Sequence, residues 1–404
     1  MTEPRQRLSA LARSISPSPT LAMNKRSREA GTASRPLIPM SLGEPDFHTP
    51  APVKAAGIRA IEQNFTKYTA ADGTSDLKGA ILEKLRRENG ISAQANQIVV
   101  AGGAKVATFA ALQCILDPGD EVIIPTPYWP SYIDLVKLAG GTPVIVPTTE
   151  ASGFKLTTAE LNSVLGPRTR ALILNSPSNP SGAVYDQDEL RGFAEALADH
   201  EKIWVIADEL YEHLYYTPTK PVSFAAAAPA ISNRTITING FSKGYCMTGW
   251  RLAFAVGPQD VMAAISNVVG QIQGSSSSIA QAAGVVALSG GNDSLEANRQ
   301  NLRERRDLLV SGLNAIAGLS VRAPEGAFYV YANCSELIGR RTAAGQHIAS
   351  DVALAEILLT EAGVSSVAGS AFGLSPYLRL SYALDTAKIV MGIERIDEFC
   401  GNLI

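Results

Sequence analysis

Cysteine is scarce in this chain. The 404 residues hold 4 cysteines, and Cys114, Cys246, Cys334 and Cys400 are scattered with no C-x-x-C pair. That spacing excludes a disulfide framework or a zinc ribbon and fits reduced thiols in a cytoplasmic protein. Histidine is as rare, with 4 residues and none in a ligand-like cluster, so no metal centre is expected. Neither sign of charge prevails: Lys and Arg number 35, Asp and Glu 38, a net charge of −3. This balance lacks the basic excess of a general nucleic-acid binder. No apolar run is long enough to span a bilayer. The opening MTEPRQRLSALARS carries charge but no apolar signal core, so no membrane partner is expected. Repeats and low-complexity tracts are also missing. What remains is 46% hydrophobic and 18% charged, an ordinary globular composition with ample material for a large core.

From about residue 95 to 260, β-rich runs alternate with helical patterns. The strands are expected at Gln97–Val100, Glu121–Ile124, Thr142–Val146, Ala171–Leu174, Trp204–Ala207, Thr235–Ile238 and Leu252–Val256. Helical patterns at Lys105–Leu116, Tyr132–Ala139 and Gln187–Ala198 lie between them, and Asp117-Pro118-Gly119-Asp120 and Ala139-Gly140-Gly141 mark helix stops. Such alternation implies an α/β fold with a mainly parallel sheet between helices. After about residue 290 a charged helix, Ser294–Ile316, precedes further strands and helices, which reads as a smaller α+β unit. Periodicity does not say whether the N-terminal stretch joins it.

Ligands of open parallel sheets bind at the carboxyl edge of the strands, so the residues just after each strand are the ones to inspect. The most informative is Asn239-Gly240-Phe241-Ser242-Lys243-Gly244-Tyr245-Cys246-Met247-Thr248-Gly249-Trp250-Arg251. A lysine in this turn-prone setting can form an imine with an aldehyde, while Ser242 and Arg251 can hold a phosphate by charge-assisted hydrogen bonds. Those are the needs of pyridoxal phosphate (PLP), whose ring nitrogen also requires an acid. Asp208, in Asp208-Glu209-Leu210-Tyr211, supplies one at the end of an apolar strand; the bland alternative is a helix-capping aspartate. Ala101-Gly102-Gly103-Ala104-Lys105 opens a helix, whose N-terminus favours an anion, though it also suits a plain tight turn. Pro125-Thr126-Pro127-Tyr128-Trp129-Pro130 presents an indole that could stack on a flat ring or serve the core. Asn175-Ser176-Pro177-Ser178-Asn179-Pro180-Ser181-Gly182 is either a turn or a donor of the Asn179 amide to a phenolic oxygen.

Taken together, Asn175–Gly182, Asp208–Tyr211 and Asn239–Arg251 stand in the order and spacing of the PLP-dependent aminotransferases of the aspartate aminotransferase family. The chain resembles its bacterial branch from Ser41-Leu42-Gly43-Glu44-Pro45-Asp46-Phe47 to Arg379-Leu380-Ser381-Tyr382-Ala383. The resemblance implies that Lys243 bonds the cofactor and moves the substrate proton. It implies that Asp208 pairs with the ring nitrogen, that Tyr211 and Asn179 bond the ring oxygen, and that Trp129 stacks on the ring. Gly103, Ala104, Ser242 and Arg251 would hold the phosphate. Tyr68 would reach the phosphate of a neighbouring subunit, giving a homodimer with shared active sites. Arg379 would grip the substrate α-carboxylate, assisted by Asn179 and the backbone at Gly43, and Lys105 would meet a side-chain carboxylate. The implied division is a small domain of residues 1–45 and 291–404 and a large PLP-binding domain of residues 46–290.

The resemblance thus implies amino transfer by a ping-pong cycle from an L-amino acid, such as aspartate or another dicarboxylic or aromatic donor, to 2-oxoglutarate. A PLP-dependent lyase acting on a sulfur amino acid shares the proton-abstraction step and is the alternative. A PLP-binding regulatory module is the alternative of another class; only about forty residues precede Gly43, with no helix-turn-helix signal. The chain departs from the bacterial pattern at Gln271-Ile272-Gln273-Gly274-Ser275-Ser276, where Gln-Ser-x-Thr-Ser-Asn-Pro is usual. By resemblance this loop lines the substrate side-chain pocket from the partner subunit, so its change bears against strict aspartate specificity.

Overall fold

The computed structural model describes residues 7–30, 36–290 and 293–404. Residues 1–6 and 31–35 of the expected N-terminal segment, and residues 291–292 at the expected start of the C-terminal part, lie outside the described residues. Seven strands, β1 (Ile98–Ala101), β2 (Glu121–Pro125), β3 (Thr142–Val146), β4 (Thr169–Asn175), β5 (Trp204–Asp208), β6 (Thr235–Gly240) and β7 (Ala253–Val256), form one sheet in the order β1-β7-β6-β5-β4-β2-β3. Every strand read from the sequence is there, within two residues at each end. Five of the seven, from β6 to β3, pair in parallel, while β7 runs antiparallel to both its neighbours. The inner strands β7, β5, β4 and β2 are apolar at consecutive positions because helices cover both faces, while β6 alternates threonine with isoleucine and is buried throughout. One face packs on the helices Ala104–Ile115 and Gln259–Ile272 through Ala107, Ala111, Ile265 and Val269. The other packs on Thr158–Val164 and Gln187–Ala196 through Leu161, Leu190 and Phe193. A reciprocal cap starts the last of these helices: the Glu189 amide donates to Asp186 Oδ1 and the Asp186 amide to Glu189 Oε2, both at 2.8 Å.

A second, antiparallel sheet is made of β8 (Tyr329–Asn333), β9 (Val367–Ala368) and β10 (Tyr377–Ser381), in the order β8-β10-β9. The charged helix expected at Ser294–Ile316 runs over Asp293–Asn314 and buries Leu302, Leu309 and Leu313 with Ile389 and Ile396 of the helix Thr386–Gly401. The N-terminal stretch that periodicity left unplaced belongs to this smaller α+β part. The Ile38 amide donates to Gly363 O (2.9 Å), that of Ser365 to Ile38 O (3.0 Å) and that of Ser381 to Met40 O (2.7 Å). Ile38 and Met40 sit in the same apolar core. Among the described residues no helix is long and apolar enough to cross a membrane.

Candidate active site

A cavity of about 400 Å³ opens at the carboxyl edge of the large sheet. Asp208 is the last residue of β5, Lys243 follows β6, and Trp129 follows β2. Arg251 reaches the same edge from the other direction: it precedes β7, whose antiparallel run starts where its neighbours end. Arg379 comes from the middle of β10 in the second sheet. Of the residues expected from the sequence, Gly43, Ala104, Lys105, Trp129, Asn179, Asp208, Tyr211, Ser242, Lys243, Arg251 and Arg379 all line this cavity.

The Lys243 amine donates to Gly43 O at 2.6 Å and faces the rings of Tyr211 and Phe328 at 5.8 and 5.7 Å. Its enclosure lowers its pKa to about 8; Glu44 and Asp208 oppose the shift, while Arg379 and Arg251 add to it. The carboxylate of Asp208 is buried, which raises its pKa. The Tyr132 hydroxyl, donating to Oδ2 at 2.6 Å, and the Leu210 amide, donating to Oδ1 at 3.2 Å, pull it back, and Lys243 adds a little. A buried carboxylate held only by neutral donors is suited to a cationic partner. Arg379 is 2% exposed. It donates to Asn179 Oδ1 (3.0 Å) and Ser41 O (2.8 Å), and its guanidinium lies 4.3 Å from the centre of the Tyr329 ring. Burial lowers its pKa, nearby tyrosines oppose the shift, and its Nε has no hydrogen-bond partner among the described residues. Such a guanidinium is suited to a carboxylate ligand.

Next to the cavity, Gly103 caps the helix Ala104–Ile115 with φ at +112°. A Cβ there would stand 2.3 Å from Arg251 Nη2, so glycine is what lets the guanidinium lie against the helix start. The Gly103 amide is turned to Ala101 O at 2.8 Å. Gly103 therefore contributes room, and because the amides of Val106 and Ala107 donate to Gly103 O (3.0 and 3.2 Å), the donors left to face a ligand are the amides of Ala104 and Lys105 at the helix start. Lys105, in that turn, holds its ammonium 5.0 Å from the centre of the Trp129 ring. Partial burial lowers its pKa, Arg251 lowers it further, and Asp134 opposes the shift.

Of the other expected residues, Gly103 stands beside the cavity, and Tyr68, expected at the site of a neighbouring subunit, is 95% exposed. Among the lining residues to which the sequence assigned no role are Tyr132, which holds Asp208; Tyr329, whose hydroxyl is 3.1 Å from that of Tyr211; and Thr20 from the helix Pro19–Ala30. Tyr132 lies three positions past Trp129 and could have been found from that proximity. Tyr329 and Thr20 come from remote segments with no local signal.

A second group was also invisible in the sequence. Glu88, Glu212 and His213 present ligand atoms within 4.8 Å of one another. The ammonium of Lys84 already serves this group: it donates to Glu212 and to Asn89 Oδ1 (2.6 Å), while Asn89 Nδ2 donates to the other Glu212 oxygen (2.6 Å). Burial would raise the pKa of Glu88, but the His213 hydrogen bond and Lys84 outweigh it and hold the group at about 2. The acids are thus compensated by the protein's own cations. His213 packs edge-on against Tyr245, two residues past Lys243, at 5.2 Å between ring centres.

Residues 35–396 match the family model described as aminotransferase class I and II. The chain belongs to that family. It is 46% identical over 390 residues to an aspartate aminotransferase of Rhizobium meliloti (strain 1021), covering 96% of this chain and 95% of the relative. It is also 46% identical over 389 residues to an aspartate/prephenate aminotransferase of Cereibacter sphaeroides, covering 96% and 97%. The crystal structure of the aspartate aminotransferase from Rhizobium meliloti superimposes with a TM-score of 0.95 at 45% identity, covering 98% of this chain and 100% of the other. That of the Thermus thermophilus enzyme with maleate gives 0.90 at 39%, covering 97% and 99%. The protein is an aminotransferase with the α/β architecture of these enzymes, and the lyase and regulatory readings give way to transfer.

Proposed function

We propose that this aminotransferase moves the amino group of L-aspartate to 2-oxoglutarate on a PLP cofactor held in the 400 Å³ cavity. The observation that carries the reading is the placement of Lys243, Asp208 and Arg379 around one cavity with Lys105 at its edge. The names of the Rhizobium and Cereibacter relatives support aspartate, and the second of them makes prephenate a further acceptor to test.

The residues present fit the cofactor: Asp208 is a buried carboxylate suited to a cationic ring nitrogen, and Arg251 with the helix start at Ala104 forms an anion cradle. Ser242 would add a hydroxyl to that cradle, Asn179 and Tyr211 would bond the ring oxygen, and Trp129 would take the ring face. When bound, PLP supplies an electron sink for the substrate α-carbon. Asp208 keeps the proton on the ring nitrogen. Lys243, with its amine neutral, takes the proton from the α-carbon and returns one on the other side of the cycle. Arg379 fixes the α-carboxylate, with Asn179 orienting the guanidinium and Gly43 offering its carbonyl beside the reacting lysine. Lys105 attracts the second carboxylate of a dicarboxylic substrate.

Residues 46–290 would form the large domain, and residues 1–45 with 291–404 the small domain that closes over the substrate. The hydrogen bonds of Ile38 and Met40 to the C-terminal part support this division. A homodimer is supported by the exposed side chains of Ile58, Ile61, Phe65, Tyr68 and Ile272. In it Tyr68 would reach the phosphate of the partner subunit. A cytoplasmic location fits the free cysteines.

The test is a panel of amino donors with 2-oxoglutarate, read as specificity constants. Arg379→Ala weakens every donor, because every amino acid has an α-carboxylate. Lys105→Ala weakens aspartate and glutamate by about ten- to a hundredfold, the worth of roughly 1.5–3 kcal/mol for a charged hydrogen bond, and spares alanine and phenylalanine. An equal fall for all donors would assign Lys105 to the cofactor or the fold.

Cofactor attachment has its own pH signature. Only the neutral amine attacks an aldehyde, so attachment to the cofactor-free protein quickens roughly tenfold per pH unit until Lys243 is deprotonated at about 8, then levels off. Stopped-flow absorbance at fixed PLP measures it; a rate still rising steeply well above that pH would mean an unperturbed lysine.

A further inference from the structure

The loop at residues 271–278 departs from the bacterial pattern, and one of its residues, Gln273, turns toward the phosphate cradle. Gln273 Oε1 accepts the Gly102 amide at 2.8 Å. With the Gly103 amide turned to Ala101 O, both amides ahead of the helix Ala104–Ile115 are satisfied, and the Ala104 amide is the first left to face a ligand. The fit is close: a Cβ on Gly102 would stand 2.7 Å from Gln273 Oε1.

The glutamine is itself oriented. Its Nε2 donates to Ser276 Oγ at 3.1 Å, and Ser276 is buried. The fully buried Gln281 fixes this serine by donating to its carbonyl at 2.9 Å. Gln281 also donates to Thr69 Oγ1 (2.9 Å) and accepts the Thr74 amide (2.8 Å). Donor and acceptor ends of the Gln273 amide are thus both assigned by their partners.

We propose that Gln273 is a positioning residue for the phosphate cradle, holding the Gly102–Gly103 turn so that the amides of Ala104 and Lys105 at the helix start aim at the cofactor phosphate. It acts through the backbone and does not touch the phosphate. The inference rests on the assignment of that turn to PLP.

The test is titration of cofactor-free wild type, Gln273→Met and Ser276→Ala with PLP, together with the melting temperature of each cofactor-free protein. Methionine keeps the volume and removes the acceptor. One lost hydrogen bond predicts about three- to tenfold weaker PLP binding for Gln273→Met, with the cofactor-free melting temperature little changed. Ser276→Ala, which frees only the distal end, gives a smaller loss in the same direction. Wild-type PLP affinity in Gln273→Met overturns the proposal, and a lowered melting temperature with unchanged affinity makes Gln273 a structural residue only. If the wild type itself failed to bind PLP, the fault would lie with the cofactor assignment and not with Gln273.

Discussion

Lys243→Ala abolishes turnover and covalent attachment of the cofactor. The residue sits just past the end of β6 with its amine enclosed beside Gly43 O, Tyr211 and Phe328, and among the described residues the other lysine lining the cavity, Lys105, is far less enclosed. Two roles are lost at once, the bond to the cofactor and the transfer of the α-proton, so the loss is near complete. Borohydride reduction followed by peptide mass measurement should find the cofactor on residue 243 of the wild type and none on the variant. A variant with cofactor still bound covalently and with normal turnover would sink the assignment.

The next largest effect belongs to Asp208→Ala. In the proposed cycle the carboxylate at the buried end of β5 would hold a proton on the ring nitrogen; with alanine there, Tyr132 loses its acceptor and the nitrogen would be free to lose its proton. Slowing of about a thousandfold or more in proton transfer is expected, on the order of 4 kcal/mol of barrier. Single-turnover absorbance with aspartate measures it. Asp208→Asn, which keeps the shape and the hydrogen bond from Tyr132 but not the charge, should be nearly as slow. Unchanged single-turnover kinetics in a folded Asp208→Ala protein would remove the carboxylate from the mechanism.

The sheet was legible because most of its strands are apolar runs ended by polar, glycine-rich or proline-rich turns, and helices on both faces bury the inner strands; the edge strand β3, with Ile145 37% exposed, is the exception. The chemical residues were legible for the same reason: an aspartate or a lysine that directly follows an apolar strand stands at the carboxyl edge wherever the strand goes. Asp208, Lys243, Trp129 and Asn179 therefore announce their edge before any fold is known. Resemblance added Arg379, which nothing local distinguishes from a surface arginine on a strand.

Local sequence carries no trace of the pairings that complete the site. Arg379 meets Asn179 across 200 positions and Lys243 meets Gly43 across another 200. Gln273 meets Gly102 across 171, and Lys84 meets Glu212 across 128. The antiparallel direction of β7, which delivers Arg251 to the same edge as Lys243, is likewise not written in four apolar residues. Composition and strand ends point to an α/β fold with a lysine and an acid at one edge of its sheet, because those features depend only on neighbours along the chain, and the resemblance adds the enzyme. The tertiary structure decides which guanidinium is left buried without a carboxylate, which amide is free at the helix start, and which tyrosines and glutamines hold them in place. Those depend on packing between elements that the chain brings together only when it closes its two cores.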